Sequence, residues 1–147
     1  MLTGRKNEAK HMSYLFLCSM GANIRPEQHF AAAQELIAGL GVARYSRAIY
    51  TKPVAIETSS DFLNALFLLE TGCTAAELKQ RFNQIEVALG RDRSDPQSSQ
   101  KDRPMDIDII GELTPGEAAQ VWQQVPDYLT EITAPLYQLS LQQEHLA

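Results

Sequence analysis

"RPMDIDIIG", residues 103–111, alternates Met105, Ile107 and Ile109 with Asp106, Asp108 and Ile110, the period-two pattern of a strand. Successive strand side chains point to opposite faces, so Asp106 and Asp108 share one face with their carboxylates roughly 7 Å apart. Reading outward from this strand gives the fold. Upstream, "SYLFLCSMG" (13–21) is a short apolar run ended by Gly21, a buried first strand. Pro26 near a helix start, Gly41 past its end, and Phe30, Ala33, Leu36, Ile37 and Leu40 at helical spacing predict a helix over about 26–39. "VARYSRAIYTK" (42–52) is a second strand that cannot run far past Pro53, and "PVAIETSSD" (53–61) is a polar loop.

"FLNALFLLET" (62–71) is nearly continuous in hydrophobicity, as expected of a strand central in its sheet. Thr74, with Glu77 three residues on, makes a capping box for a helix running to Leu89 and stopped by Gly90. "RDRSDPQSSQKDRP" (91–104) has no apolar side chain apart from its prolines, a long loop of the kind that often carries function. The 103–111 strand then completes β-α-β-β-α-β. This order predicts an α+β, ferredoxin-like fold, an antiparallel sheet with helices packed on it. Helical stretches are also expected in "PGEAAQVWQQV" (115–125) and "APLYQLSLQQE" (134–144).

A chain of 147 residues with 44% hydrophobic and 21% charged residues reads as one soluble domain, taken as residues 13–147 behind a flexible polar leader, 1–12. The formal net charge of −5 argues against a broad nucleic-acid-binding surface. The apolar runs fall well short of the roughly 20 residues of a membrane span, and the N-terminus lacks a secretory pattern. A cytoplasmic protein is expected, without nucleic-acid or membrane partners and monomeric. Cys18 and Cys73 lack metal-ligand spacing and read as reduced thiols.

Two carboxylates on one strand face repel unless something positive completes them. A divalent cation would do so, since Mg²⁺ takes carboxylate and phosphate oxygens together. A solvent-facing acidic edge strand is the competing reading of D-x-D alone. Arg91, Arg93, Lys101 and Arg103 in the preceding loop favour a polyphosphate site, where guanidinium forks carry part of the phosphate charge. No Walker-type phosphate loop or protein-kinase signature is present. Phe62 and Asn64, just past the loop that begins at "YTKP" (50–53), could stack on and hydrogen-bond a flat heterocycle. An ordinary core aromatic and a turn residue are the alternatives.

Over residues 13–112 the chain resembles the 6-hydroxymethyl-7,8-dihydropterin pyrophosphokinases of folate biosynthesis. The matching features are "GAN" (21–23), Y-x-x-P (50–53), "DFLNALFLLET", Glu86 before "GR", and an arginine-bearing loop ending in R-x-x-D-x-D-I. The resemblance implies Mg-dependent transfer of the pyrophosphoryl unit of ATP to a reduced pterin, releasing AMP. It implies that Asp106 and Asp108 hold two Mg²⁺ ions and that Arg103, with Arg91 or Arg93, stabilises the phosphate charge. By the same likeness Glu86 and Lys101 serve the nucleotide, and Phe62, Asn64 and Pro53 serve the pterin. Beyond the last strand the likeness thins: "VPDYLTEITAPL" (125–136) carries Asp127 where the family has histidine and lacks its arginine and phenylalanine, and the chain ends early. The alternative is therefore a nucleotide- or pterin-binding module with impaired transfer. Trp122 as a substitute for the missing ring stands against a plain core position, which is the default.

Overall fold

The computed structural model describes residues 13–52, 61–91 and 103–146. The 1–12 leader, Pro53 with the loop after it, and Arg93 and Lys101 lie outside the described residues.

Four successive segments build the sheet: β1 (Tyr14–Ala22), the pair β2 (Gly41–Tyr45) and β3 (Ile49–Thr51), β4 (Phe62–Thr71), and β5 (Asp106–Glu112). The order is β2-β4-β1-β5, with β3 pairing β4 further along, and every pairing is antiparallel. With α1 (Pro26–Ala38) following β1 and α2 (Ala75–Ala88) following β4, this is the expected α+β, ferredoxin-like βαββαβ arrangement. β4 lies between strands on both sides, and its burial over Leu63–Leu69 is complete or nearly so, as its continuous apolar run requires.

The sequence reading has one strand over 42–52, whereas the structure breaks it into β2 and β3. The cause is Ser46. Its N–H donates to Leu66 O at 2.9 Å, and its Oγ accepts from Leu66 N–H at 2.9 Å. A side-chain oxygen thus takes a ladder position that a backbone carbonyl would otherwise hold.

Period-two alternation sorts side chains to two faces, and each face has its own cover. On one face Phe16, Cys18, Met20, Phe67 and Ile107 pack against Phe30, Ala33 and Ile37 of α1 and Leu78, Phe82 and Ile85 of α2. On the other, Leu17, Leu66 and Leu68 pack against C-terminal residues Val121, Leu129, Ile132 and Leu136. These belong to α3 (Ala118–Trp122), a 3-10 helix (Asp127–Ile132) and α4 (Thr133–Leu146). The 3-10 helix has no counterpart in the sequence reading. Trp122, partly buried, packs against this second cluster and meets Tyr137 edge-on at 5.3 Å, a packing role in line with the default. No helix among the described residues is long and apolar enough to cross a membrane.

α2 begins as its sequence requires. Thr74 Oγ1 accepts from Glu77 N–H at 3.3 Å, and Glu77 Oε1 accepts from Thr74 N–H at 2.8 Å. The helix closes at Leu89, and Gly90 follows with φ +114, a conformation that favours glycine. That reversal aims Arg91 back across the end of the helix toward β5.

Candidate active site

The register places the site residues before any side chain is considered. Gly21 of β1 lies opposite Asn64 on β4 and Asp106 on β5, and Ser19 lies opposite Asp108. Residues directly opposite share a face, so Asn64, Asp106 and Asp108 project together, on the side away from α1 and α2. Gly21 leaves room between its neighbours: a Cβ there would stand 2.8 Å from Asn64 Oδ1. Asn64 is buried, and its Nδ2 donates to Thr51 Oγ1 at 2.6 Å and to Phe62 O at 3.3 Å.

The two aspartates are unlike. Asp106 is gripped from both sides, its Oδ1 accepting from Arg91 Nη1 at 3.1 Å and its Oδ2 from Arg103 Nη1 at 2.7 Å. Asp108 has no hydrogen bond or ion pair among the described residues. Although Asp108 reaches solvent, partial burial and then the Asp106 charge push its carboxyl above the usual range, with Arg103, Lys79 and Arg91 acting in the opposite sense.

That raised value fixes a sign. The folded state holds the Asp108 proton more tightly than the unfolded chain, so ionisation opposes folding. The penalty is absent below 3.8, the ordinary value, grows through the window up to the folded value, and is full above it. Asp108→Asn is therefore expected to match the wild type near pH 3.5 and to exceed it at pH 7. The gain should be small, below about 1 kcal/mol, as suits a partly solvated charge. Thermal melts across pH check it, and a Tm at pH 7 below wild type would contradict it.

Both arginines are themselves held. Glu86 of α2 is 2% exposed. Its Oε2 accepts from Ile107 N–H at 2.7 Å, and its Oε1 lies 3.5 Å from Arg91 Nη1. Among the described residues β5 is an edge strand, so Glu86 satisfies an outward N–H that no described strand covers. Arg91 N–H donates to Glu86 O at 3.0 Å. Asn23 clamps the other arginine: its Oδ1 accepts from Arg103 N–H at 2.7 Å and its N–H donates to Arg103 O at 3.0 Å. The "GAN" turn thus ties the start of α1 to the residue that grips Asp106.

The carboxylate pair borders two clefts. The smaller, about 110 Å³, is lined by Gly21, Phe62, Asn64, Arg103, Tyr128 and both aspartates, among others. The larger, about 470 Å³, lies between α2 and β5 and includes Lys79, Asn83, Glu86, Arg91 and both aspartates. Of the residues singled out from sequence, Asp106, Asp108, Arg91, Arg103, Glu86, Phe62 and Asn64 come together here. Arg93, Lys101 and Pro53 lie outside the described residues. Sequence reasoning missed Asn23 as a clamp and missed Tyr128. Tyr128, in the 3-10 helix, has its hydroxyl pushed above the usual range by burial and then by Asp106 and Asp108. It is a neutral hydrogen-bond donor at pH 7.

Among the described residues no group of three or more His, Cys, Asp or Glu side chains is arranged to hold a metal. The carboxylate pair nonetheless fits Mg²⁺ that arrives with phosphates, because that ion commonly takes one or two carboxylates and completes its octahedron from water and substrate oxygens.

A family model described as 7,8-dihydro-6-hydroxymethylpterin-pyrophosphokinase matches residues 17–138, which spans both clefts and all the residues above. No curated protein matches the chain.

Proposed function

The chain belongs to the 7,8-dihydro-6-hydroxymethylpterin-pyrophosphokinase family, and on that premise we propose that it transfers the pyrophosphoryl unit of ATP to the hydroxymethyl group of a reduced pterin, releasing AMP. The observation that carries this reading is the position of Asp106 and Asp108 on the shared border of two clefts. A transfer between two bound molecules needs the phosphorus of one and the hydroxyl of the other at a common point, and charge stabilisation at that point.

The larger cleft suits the nucleotide. The smaller suits the pterin, with Phe62 offering a ring face, and Asn64 an amide edge held by Thr51 and the Phe62 carbonyl. Tyr128 adds a second ring and a hydroxyl to the same cleft. It is the aromatic residue there that can offset the family phenylalanine this chain lacks. Mg²⁺ held by Asp106 and Asp108, as two ions, would neutralise the phosphate oxygens.

The remaining work falls to the chain's own groups. Arg91 and Arg103 occupy the Asp106 oxygens in the free protein. When phosphate enters, their forks have a second anion within reach, so they can turn from carboxylate to phosphate without being drawn from water. Glu86, whose oxygens are engaged by Arg91 and Ile107, acts as a positioning residue through Arg91. Arg93 and Lys101 are proposed to add charge at the nucleotide, and Pro53 to border the pterin. No protein nucleophile is required, because the substrate hydroxyl attacks directly.

The impaired-module reading is favoured by Asp127, a carboxylate beside Tyr128 where the family carries an imidazole. Calorimetric titration with Mg²⁺ and a non-hydrolysable ATP analogue, with and without 6-hydroxymethyl-dihydropterin, tests the site. Micromolar, Mg²⁺-dependent analogue binding that also lets the pterin bind is expected. Absence of analogue binding would overturn the nucleotide assignment. Pterin binding that ignores the analogue would favour the module.

A further inference from the structure

We propose that Lys79 is a phosphate-binding residue of the larger cleft, contacting the phosphate chain of the nucleotide across from Asp108. This rests on the nucleotide reading of that cleft. Lys79, Asn83 and Glu86 are spaced by four and three residues along α2, and so share one helix face. All three line the cleft, together with Ala75 and Ala76 at the helix start and Asp106–Ile109 of β5.

Charge accounting in the cleft isolates two groups. Arg91 is matched to Glu86 and Asp106, and Arg103 to Asp106. Lys79 forms no hydrogen bond or ion pair among the described residues, and neither does Asp108. Both line the same cleft, Lys79 from α2 and Asp108 from β5, and no ion pair joins them. A cation and an anion that have no partner among the described residues and line one cleft are complementary to a metal–phosphate unit, with phosphate oxygens toward Lys79 and the metal toward Asp108.

Lys79 is exposed, so its replacement leaves packing intact, and Arg81 on the same helix provides a control of equal charge change outside the cleft. Affinity for Mg²⁺ with the non-hydrolysable ATP analogue would be measured for wild type, Lys79→Met, Lys79→Arg and Arg81→Met at several salt concentrations. Lys79→Met is expected to weaken binding about tenfold and to flatten its salt dependence. Lys79→Arg should stay within about threefold of wild type, and Arg81→Met within about twofold, with Tm unchanged throughout. Equal effects of Lys79→Met and Arg81→Met would overturn the assignment while leaving the nucleotide site standing. Failure of the wild type to bind the analogue would overturn both.

Discussion

Glu86→Ala is expected to lower the unfolding free energy by about 3 kcal/mol, the range for breaking one side of a buried ion pair. Three losses combine. The Ile107 N–H on the open edge of β5 loses its 2.7 Å acceptor, and a buried donor without a partner costs about 1–3 kcal/mol. Arg91, whose side chain is 11% exposed, keeps Asp106 alone as its anion among the described residues. The carboxylate also leaves a void between α2 and β5. Urea unfolding should show the midpoint falling with little change in slope. Glu86→Gln, which retains an acceptor for Ile107, should fall between the variant and wild type. A loss below about 1 kcal/mol in Glu86→Ala would mean that Ile107 and Arg91 find other partners readily.

Asp106→Ala is expected to reduce AMP formation by at least about a thousandfold while the protein stays folded. The side chain is 24% exposed, so removing it costs far less packing than Glu86. Its chemical role is larger, because it anchors both Arg91 and Arg103 and is one of the two proposed metal carboxylates. Loss of a single preorganised electrostatic contact commonly costs about 10²–10³ in rate. Here the metal anchor and the placement of two guanidinium groups go together, in a reaction that depends on both. Asp106→Asn should be nearly as inactive, since an amide cannot serve both arginines and a cation. Activity within tenfold of wild type in either variant, at saturating Mg²⁺ and ATP, would remove Asp106 from the proposed machinery.

What the sequence revealed follows the range of the interactions involved. The Thr74–Glu77 capping box, the central strand over 62–71 and the D-x-D strand rest on neighbours a few residues apart, where periodicity and cap chemistry act directly. The break at Ser46 was hidden because it depends on Leu66, 20 residues on. Asn23 and Arg103 are 80 residues apart, and no local pattern links them. Glu86 stood out by resemblance, but the reason for its burial is an edge N–H on a strand that follows a long loop. Tyr128 lies in a 3-10 helix whose sequence, "DYLTEI", carries no strong helix or strand period. The placing of the two carboxylates on one strand face was therefore legible, whereas the residues that hold the arginines emerge from the folded arrangement.

The most direct measurement is AMP formation from Mg-ATP by the purified protein, with and without 6-hydroxymethyl-7,8-dihydropterin and alongside Asp106→Ala. Pterin-dependent AMP, formed in equal amount with the pyrophosphorylated pterin and lost in the variant, is the expected result. No AMP above the variant's background, from a wild-type protein that binds both ligands, would contradict the transfer reaction and leave a binding module on this fold.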